Sequence, residues 1–316
     1  MSLKKIIYWS TTLIAALPAI ICIALPGYFS FHSFSKYAEQ ILIAYLVLGL
    51  LMLALNKTHW MWVGFGCSAA LCLYLRSSAT EGIRFPSPLM GEPTYKVGQF
   101  EMSSINEHID SALSDIKESK IDILCFQEVN PRADSILKKN LKSSYPYAFS
   151  LKRVDLYGML IFSKYPFTKV DTFSVNNIPN IEGYIQFDED KILRFVASYI
   201  TPPFNEKGFA TLRQYLNDLS LRVTKEKNRT IVLGNYNCVP WSQEIYEYKT
   251  RCNILDSRLG LMLSYPSKIN SFLNVPLEYI FYSKDLRCIG FDAMQSKLNQ
   301  QYLGVIGKYQ LSPLKK

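Results

Sequence analysis

Three long apolar runs crowd the first 76 residues: Ile6–Leu25, Ala38–Leu55 and Trp60–Leu75. A helix needs ~20 residues to cross the ~30 Å hydrocarbon core of a bilayer, and each run comes close to that length. One such run alone would suit a buried core helix. Three in succession, divided by short polar joints, predict three transmembrane helices over residues 1–76. Lys4 and Lys5 precede the first run as they would precede a signal peptide. "ALPGYFS" lacks a small-x-small cleavage site and two further runs follow, so the first run reads as a retained span. Pro18 would kink it, which neighbouring helices tolerate in lipid. Lys4, Lys5 and Lys57 favour an inside N-terminus, and Lys36 and Arg76 argue weakly the other way. An odd number of crossings then puts the remainder outside. The expected location is the inner membrane of a bacterium, with a periplasmic soluble domain.

After the apolar region, Ser77 to about Tyr95 has three prolines, two glycines and no periodicity, so residues 77–94 read as a linker. Residues 95–316 then form one domain in which strand-like and helix-like segments alternate. Strand patterns include "YKVGQF", "IDILCFQEV", "YGMLIFSKYPF", "YIQFD", "ILRFVASYI", "TIVLGNYN", "LEYIFYS" and "YLGVIGKY". Helical spacing marks Asn106–Ser119, Asp134–Leu141 and Phe209–Thr224. Strands outnumber helices and are interrupted by them, which predicts two packed mixed sheets flanked by helices.

Composition narrows the chemistry. The chain carries a formal charge of +9 but no block of like charge, so ordinary surface lysine explains it better than a dedicated anion-binding face. No run interleaves basic and aromatic residues, which argues against nucleic acid as a partner. The cysteines beyond the apolar region, Cys125, Cys238, Cys252 and Cys288, match no metal-ligand spacing; an oxidising compartment would permit one or two disulfides, and four separate buried thiols are the preferred reading. Of three histidines, only His108 lies in the domain, on a predicted helix.

Polar residues cluster where buried strands end: Phe100–Glu101, Gln127–Glu128, Ser198–Tyr199, Asn235 with Asn237, Glu278–Tyr279 and Lys308–Tyr309. "DILCFQEVNP", "GMLIFSKYPF", "IVLGNYNCVPWS" and "LEYIFYS", in this order, resemble the endonuclease/exonuclease/phosphatase family, in particular a subgroup with three N-terminal membrane spans. The resemblance implies a four-layered α/β sandwich and a phosphoester hydrolase using Mg²⁺ or Mn²⁺. In that family a glutamate holds the metal, an Asp-x-Asn turn orients water and phosphate, and a late Asp-His pair polarises and protonates. Metal and base are needed because a phosphodiester is anionic, and carboxylates are hard ligands that suit Mg²⁺.

Carried over residue by residue, the resemblance is mixed. Glu128 matches the metal-binding glutamate and Asn237 the second half of the turn. Tyr199 stands where members have histidine or tyrosine, and Glu278 where aspartate is usual. The departures are Glu101 in place of asparagine, Asn235 in place of the turn aspartate, and Lys308–Tyr309 aligned with the Asp-His pair. These substitutions predict a catalytically impaired member that binds a protein partner or phosphate-bearing ligand without a cofactor. The alternative is a divergent Mg²⁺- or Mn²⁺-dependent phosphodiesterase or phosphatase near the membrane, and a third reading is a scaffold. For the first reading, an ion pair of Lys308 with Glu101 and Glu128 is expected to replace the metal.

Overall fold

The computed structural model describes residues 3–24, 27–79, 82, 84–105, 108–226, 228–260 and 275–311. It divides into two compact units. One comprises residues 1–80 together with Cys238–Tyr246, and the other residues 81–237 and 247–316. The linker expected at 77–94 is thus shared between units, its residues 80, 81 and 83 lying outside the described set.

The first unit is helical: α1 (Leu3–Ala24), α2 (Phe29–Ser35), α3 (Ala38–Ala54) and α4 (Thr58–Ala79). Three spans are expected from the sequence. Among the described residues one helix, over Lys5–Ala24, is long and apolar enough to cross a membrane. α3 stops at 17 residues, and α4 is diluted by Thr58, Ser68, Arg76, Ser77 and Ser78. Gly64 lets α3 and α4 approach closely, because a Cβ there would lie 2.6 Å from the backbone nitrogen of Gly49. Small residues serve this purpose at helix contacts. α1 is tied to both: the Thr12 hydroxyl meets His59 Nε2 at 2.8 Å, and Tyr45 OH donates to Ala15 O at 2.5 Å. The Cys238–Tyr246 segment belongs here through Trp241, whose indole N–H donates to Ser35 O at 2.8 Å and whose carbonyl accepts from Tyr74 OH at 2.8 Å.

The second unit is built on two six-stranded sheets. Sheet A has the order β11-β12-β1-β2-β4-β3, from β1 (Tyr95–Glu101), β2 (Ile123–Gln127), β3 (Tyr147–Leu151), β4 (Met159–Ser163), β11 (Leu286–Gln295) and β12 (Tyr302–Leu311). Sheet B has the order β5-β6-β7-β8-β10-β9, from β5 (Phe167–Val175), β6 (Ile178–Asp188), β7 (Lys191–Tyr199), β8 (Thr230–Asn235), β9 (Ile254–Asp256) and β10 (Glu278–Ser283). Only β1–β2 and β7–β8 pair in parallel; the other pairs are antiparallel. The helices are α5 (Met102–Ile105), α6 (Ile109–Glu118), α7 (Pro131–Leu141), α8 (Glu206–Thr224) and α9 (Gln243–Cys252), the last divided between the units after Tyr246. α7 begins with Asn130 capping Ala133 N and Pro131 at its first turn, and α8 with Asn205 capping Gly208 N, as helix starts prefer. The first two residues of the helix expected at 106–119 lie outside the described set.

The period of two along each strand sorts the side chains into layers. On β2, Ile123 and Cys125 enter the core between the sheets, joining Val97, Ile161, Phe195, Ala197, Ile231, Leu233 and Ile280. Leu124 and Phe126 point the other way, to a second core with Leu113, Ile116, Leu137 and Leu141 of the covering helices. No disulfide is formed, and Cys125, Cys238, Cys252 and Cys288 are buried thiols.

Candidate functional site

The inter-sheet layer ends in polar side chains. The parity that sends Val97, Cys125, Ala197, Leu233 and Ile280 into the core also sends Glu101, Gln127, Tyr199, Asn235 and Glu278 toward it, at the ends of β1, β2, β7, β8 and β10. Register aligns these ends: Glu101 pairs with Gln127, Tyr199 with Asn235, and Asn235 with Glu278.

Hydrogen bonds then join the two sheets at this end. Asn235 Nδ2 donates to Glu101 Oε1, Tyr199 OH donates to Glu128 Oε1 at 2.8 Å, and Gln127 Nε2 donates to Ser198 O at 2.8 Å. The Asn235 side chain is used at both ends, since its Oδ1 accepts from the backbone of Asn237 at 2.8 Å. Asn237 in turn donates to Ile200 O at 2.7 Å. Glu128 and Asn237 both have left-handed backbones, with φ of 59° and 52°. Such conformations cost of order 1–3 kcal/mol for a non-glycine residue and cluster at functional sites. Gly158 makes room for the first of them. Its carbonyl accepts from Val129 N at 2.9 Å, and a Cβ on it would fall 2.0 Å from Val129 O.

Three carboxyl side chains, Glu101, Glu128 and Glu278, share this region, with Glu101 and Glu278 buried. Burial, and then the Glu128 charge, push Glu101 up to about 8, against the opposing hydrogen bonds from Asn235 and Ser103. Glu278 is 1% exposed, and neither of its oxygens has a hydrogen-bond partner. Burial and the Glu101 charge raise it well above the usual carboxylate range, while Arg258 pulls it down. Arg258 is itself fully buried. It donates to Glu278 O at 2.5 Å and to Asp256 Oδ2 at 3.2 Å, with its guanidinium 4.9 Å from the centre of the Tyr279 ring.

Six residues expected from the sequence are therefore brought together: Glu101, Glu128, Tyr199, Asn235, Asn237 and Glu278. Lys308 and Tyr309 are not. Lys308 pairs with Lys96, at the start of β1 rather than its end, so five residues at ~3.3 Å each separate it from the Glu101 level. It also faces outward, and Nζ binds Asp292 Oδ2 at 2.9 Å on the neighbouring strand. The expected ion pair with Glu101 and Glu128 is not formed. Tyr309 points into the core, its hydroxyl 2.6 Å from Ser257 Oγ. The end of β12 that reaches the site is its beginning, where Gln301 Nε2 donates to Ser104 O at 3.0 Å. Arg258 and Gln301 carry no signal in the sequence, whereas Gln127 stands among the polar strand ends and has the inward parity of its strand. His108 lies exposed at the start of α6, with no side-chain bond to the helix end.

The donor chemistry suits a hard divalent cation, but the arrangement does not. Among the described residues no three His, Cys, Asp or Glu side chains are placed to hold one ion. Asn235 occupies Glu101, and Tyr199 occupies Glu128.

An endonuclease/exonuclease/phosphatase family model matches residues 101–294, more than half of the chain. The chain belongs to this family. Solved structures of the same fold include an endonuclease/exonuclease/phosphatase protein from Bacteroides vulgatus (15% identity, 70% of this chain and 100% of that one, TM-score 0.57). An AP endonuclease from Archaeoglobus fulgidus is similar at 14% identity over 68% of this chain and 98% of that one, TM-score 0.57. The human Nocturnin catalytic domain with bound sulfate is similar at 16% identity over 69% and 93%, TM-score 0.51. At such identities the likeness establishes the endonuclease/exonuclease/phosphatase fold alone. No curated protein matches the sequence.

Proposed function

We propose that this chain is a membrane-anchored endonuclease/exonuclease/phosphatase family protein whose strand-end site is catalytically impaired and serves as a binding domain. The observation that carries this reading is Asn235. In the family pattern that position supplies an aspartate, whereas here an amide donates a hydrogen bond to Glu101 and has no useful basicity. The late Asp-His block fares no better. The site end of β12 carries Gln300 and Gln301, which cannot protonate a leaving group. A positioned acid or base contributes ~10²–10⁴-fold, so losing both leaves little turnover.

α1 supports the membrane part of the proposal, and its packing on α3 and α4 favours a retained span over a cleaved signal. Leu13, Ile14, Leu17, Val47, Leu50, Leu51, Trp62 and Leu73 are all exposed along these helices, which suits lipid around the unit rather than water. The basic N-terminal end favours the cytoplasmic side for the start of α1. The expected setting is a bacterial inner membrane.

One observation favours a second reading. The family pattern pairs asparagine at the end of the first strand with aspartate in the turn. Here Glu101 and Asn235 are hydrogen-bonded with acid and amide exchanged between strands. Glu101 would then stand in for the missing carboxylate of a divergent metal-dependent phosphodiesterase.

The deciding experiment measures hydrolysis of bis(p-nitrophenyl) phosphate by the full chain in detergent with Mg²⁺ or Mn²⁺. The expected result is no turnover above that of Glu128→Ala. Turnover lost in both Glu128→Ala and Glu101→Gln would overturn the impaired reading in favour of the second.

A further inference from the structure

Three loops surround the strand-end site: residues 152–158 between β3 and β4, 200–205 between β7 and α8, and 296–301 between β11 and β12. The first two adjoin each other beside Tyr199, and the third packs on α5 and α6, where Lys297 N–H donates to Asp115 Oδ2 at 3.0 Å. Tyr157 OH lies 3.4 Å from Thr201 Oγ1, the Tyr157 ring centre lies 6.0 Å from that of Tyr199, and Gln301 reaches Ser104. These loops carry apolar side chains in water: Val154 is 91% exposed, Phe204 85%, Leu298 70% and Leu156 51%. The large apolar side chains exposed elsewhere on the described sandwich surface are Met90, Tyr147, Ile192 and Leu221, one to a site. The concentration is therefore on the rim.

Basic residues interleave with them. Lys152, Arg153, Lys207 and Lys297 lie on or next to the rim, against Asp155 and Glu206. Arg153 pairs with Asp155 and Lys297 with Glu118, in exposed ion pairs. Such pairs are weak and yield readily to another anion. A clustered apolar patch marks an interaction site. Apolar tips flanked by lysine and arginine suit the boundary between acyl chains and anionic headgroups. Single-stranded nucleic acid would instead call for a row of exposed aromatic faces, and of the four rim residues only Phe204 offers one.

We propose that this rim docks on a bilayer surface bearing anionic phosphate headgroups. Val154, Leu156, Phe204 and Leu298 enter the headgroup boundary, Lys152, Arg153, Lys207 and Lys297 meet the phosphates, and the strand-end site opens onto lipid headgroups. The proposal rests on the membrane reading of the helical unit and names the phosphate-bearing ligand of the site as a lipid headgroup. It holds for a binding site and for a hydrolase alike.

The test is backbone hydrogen exchange of the full chain in nanodiscs of phosphatidylcholine, with and without phosphatidylglycerol. Exchange in the three loops is expected to slow at least tenfold when phosphatidylglycerol is present. β2 and β8 should not change. A Val154→Asp/Leu156→Asp/Phe204→Asp variant should lose the slowing and keep its unfolding temperature, because all three side chains are exposed. Equal loop exchange in both nanodiscs overturns the proposal. So does slowing produced in detergent by a single-stranded oligonucleotide. Extraction with alkaline carbonate separates the two claims: release of the chain would overturn the anchoring reading, while phosphatidylglycerol-dependent slowing would still support the rim.

Discussion

Asn235 holds a carboxylate with one end of its amide and a backbone turn with the other. An aspartate could keep the turn but would bring a further negative charge against Glu101, so Asn235 and Glu101 form a matched pair. Asn235→Asp alone should destabilise the protein, and Glu101→Asn combined with Asn235→Asp should recover most of that loss. Chemical denaturation of the two variants in detergent measures this, and unequal recovery would separate pair compensation from simple tolerance. Glu101 also makes stability depend on pH. Its proton affinity is raised on folding, to about 8, so its contribution is complete below the range of a free carboxyl. It declines as pH rises toward 8, at about 1.4 kcal/mol for each tenfold difference in affinity. The unfolding temperature should fall from pH 5 to pH 8, and Glu101→Gln should flatten that fall. At this scale much of the site was legible, because Glu101, Glu128, Tyr199, Asn235, Asn237 and Glu278 all stand at the ends of apolar runs. Lys308 misled because motif order says nothing about which end of an antiparallel strand reaches the site, or which face a side chain takes.

Elements with one clear hydrophobic rhythm were read correctly, and those without it were missed. β2 and β8 are apolar on both faces and β7 on its core face, all three end in polar residues, and α7 and α8 have apolar spacing with asparagine caps. β3 and β5 expose much of their length, β9 has three residues, and β11 is bulged near Cys288, so none presents a strong period. Two elements carry sharp predictions. Gly158→Ala would drive a Cβ into the backbone at Val129. It should cost about 1–3 kcal/mol by urea unfolding, with altered exchange at Glu128. Arg194 is fully buried on β7. It bonds Glu182 Oε1 at 2.7 Å and the α8 carbonyls of Val223 and Arg222 at 2.7 and 3.0 Å. Breaking a buried pair costs about 3–5 kcal/mol. Arg222 continues to bind Glu182, so Arg194→Ala should fall near the lower figure.

For the molecule as a whole, composition divided the chain near residue 76 and structure divides it near residue 80, but structure adds a piece that no composition shift marks. Cys238–Tyr246 follows Asn237 without a break and packs in the helical unit. Sequence reading assigned it to the domain of residues 95–316 because it runs on from the strand "TIVLGNYN". Trp241→Ala removes the indole bond to Ser35, so faster exchange is expected in both α2 and residues 238–246, with the sheets unaffected. The two units are consequently not interchangeable cassettes. Replacing the first 80 residues with an unrelated helical unit, or removing them, would leave nine residues without their native partners immediately after the Asn235–Asn237 turn. Any descendant of this chain that exchanged its helical unit would have had to redesign that loop in the same step, which ties the evolution of helical unit and site together.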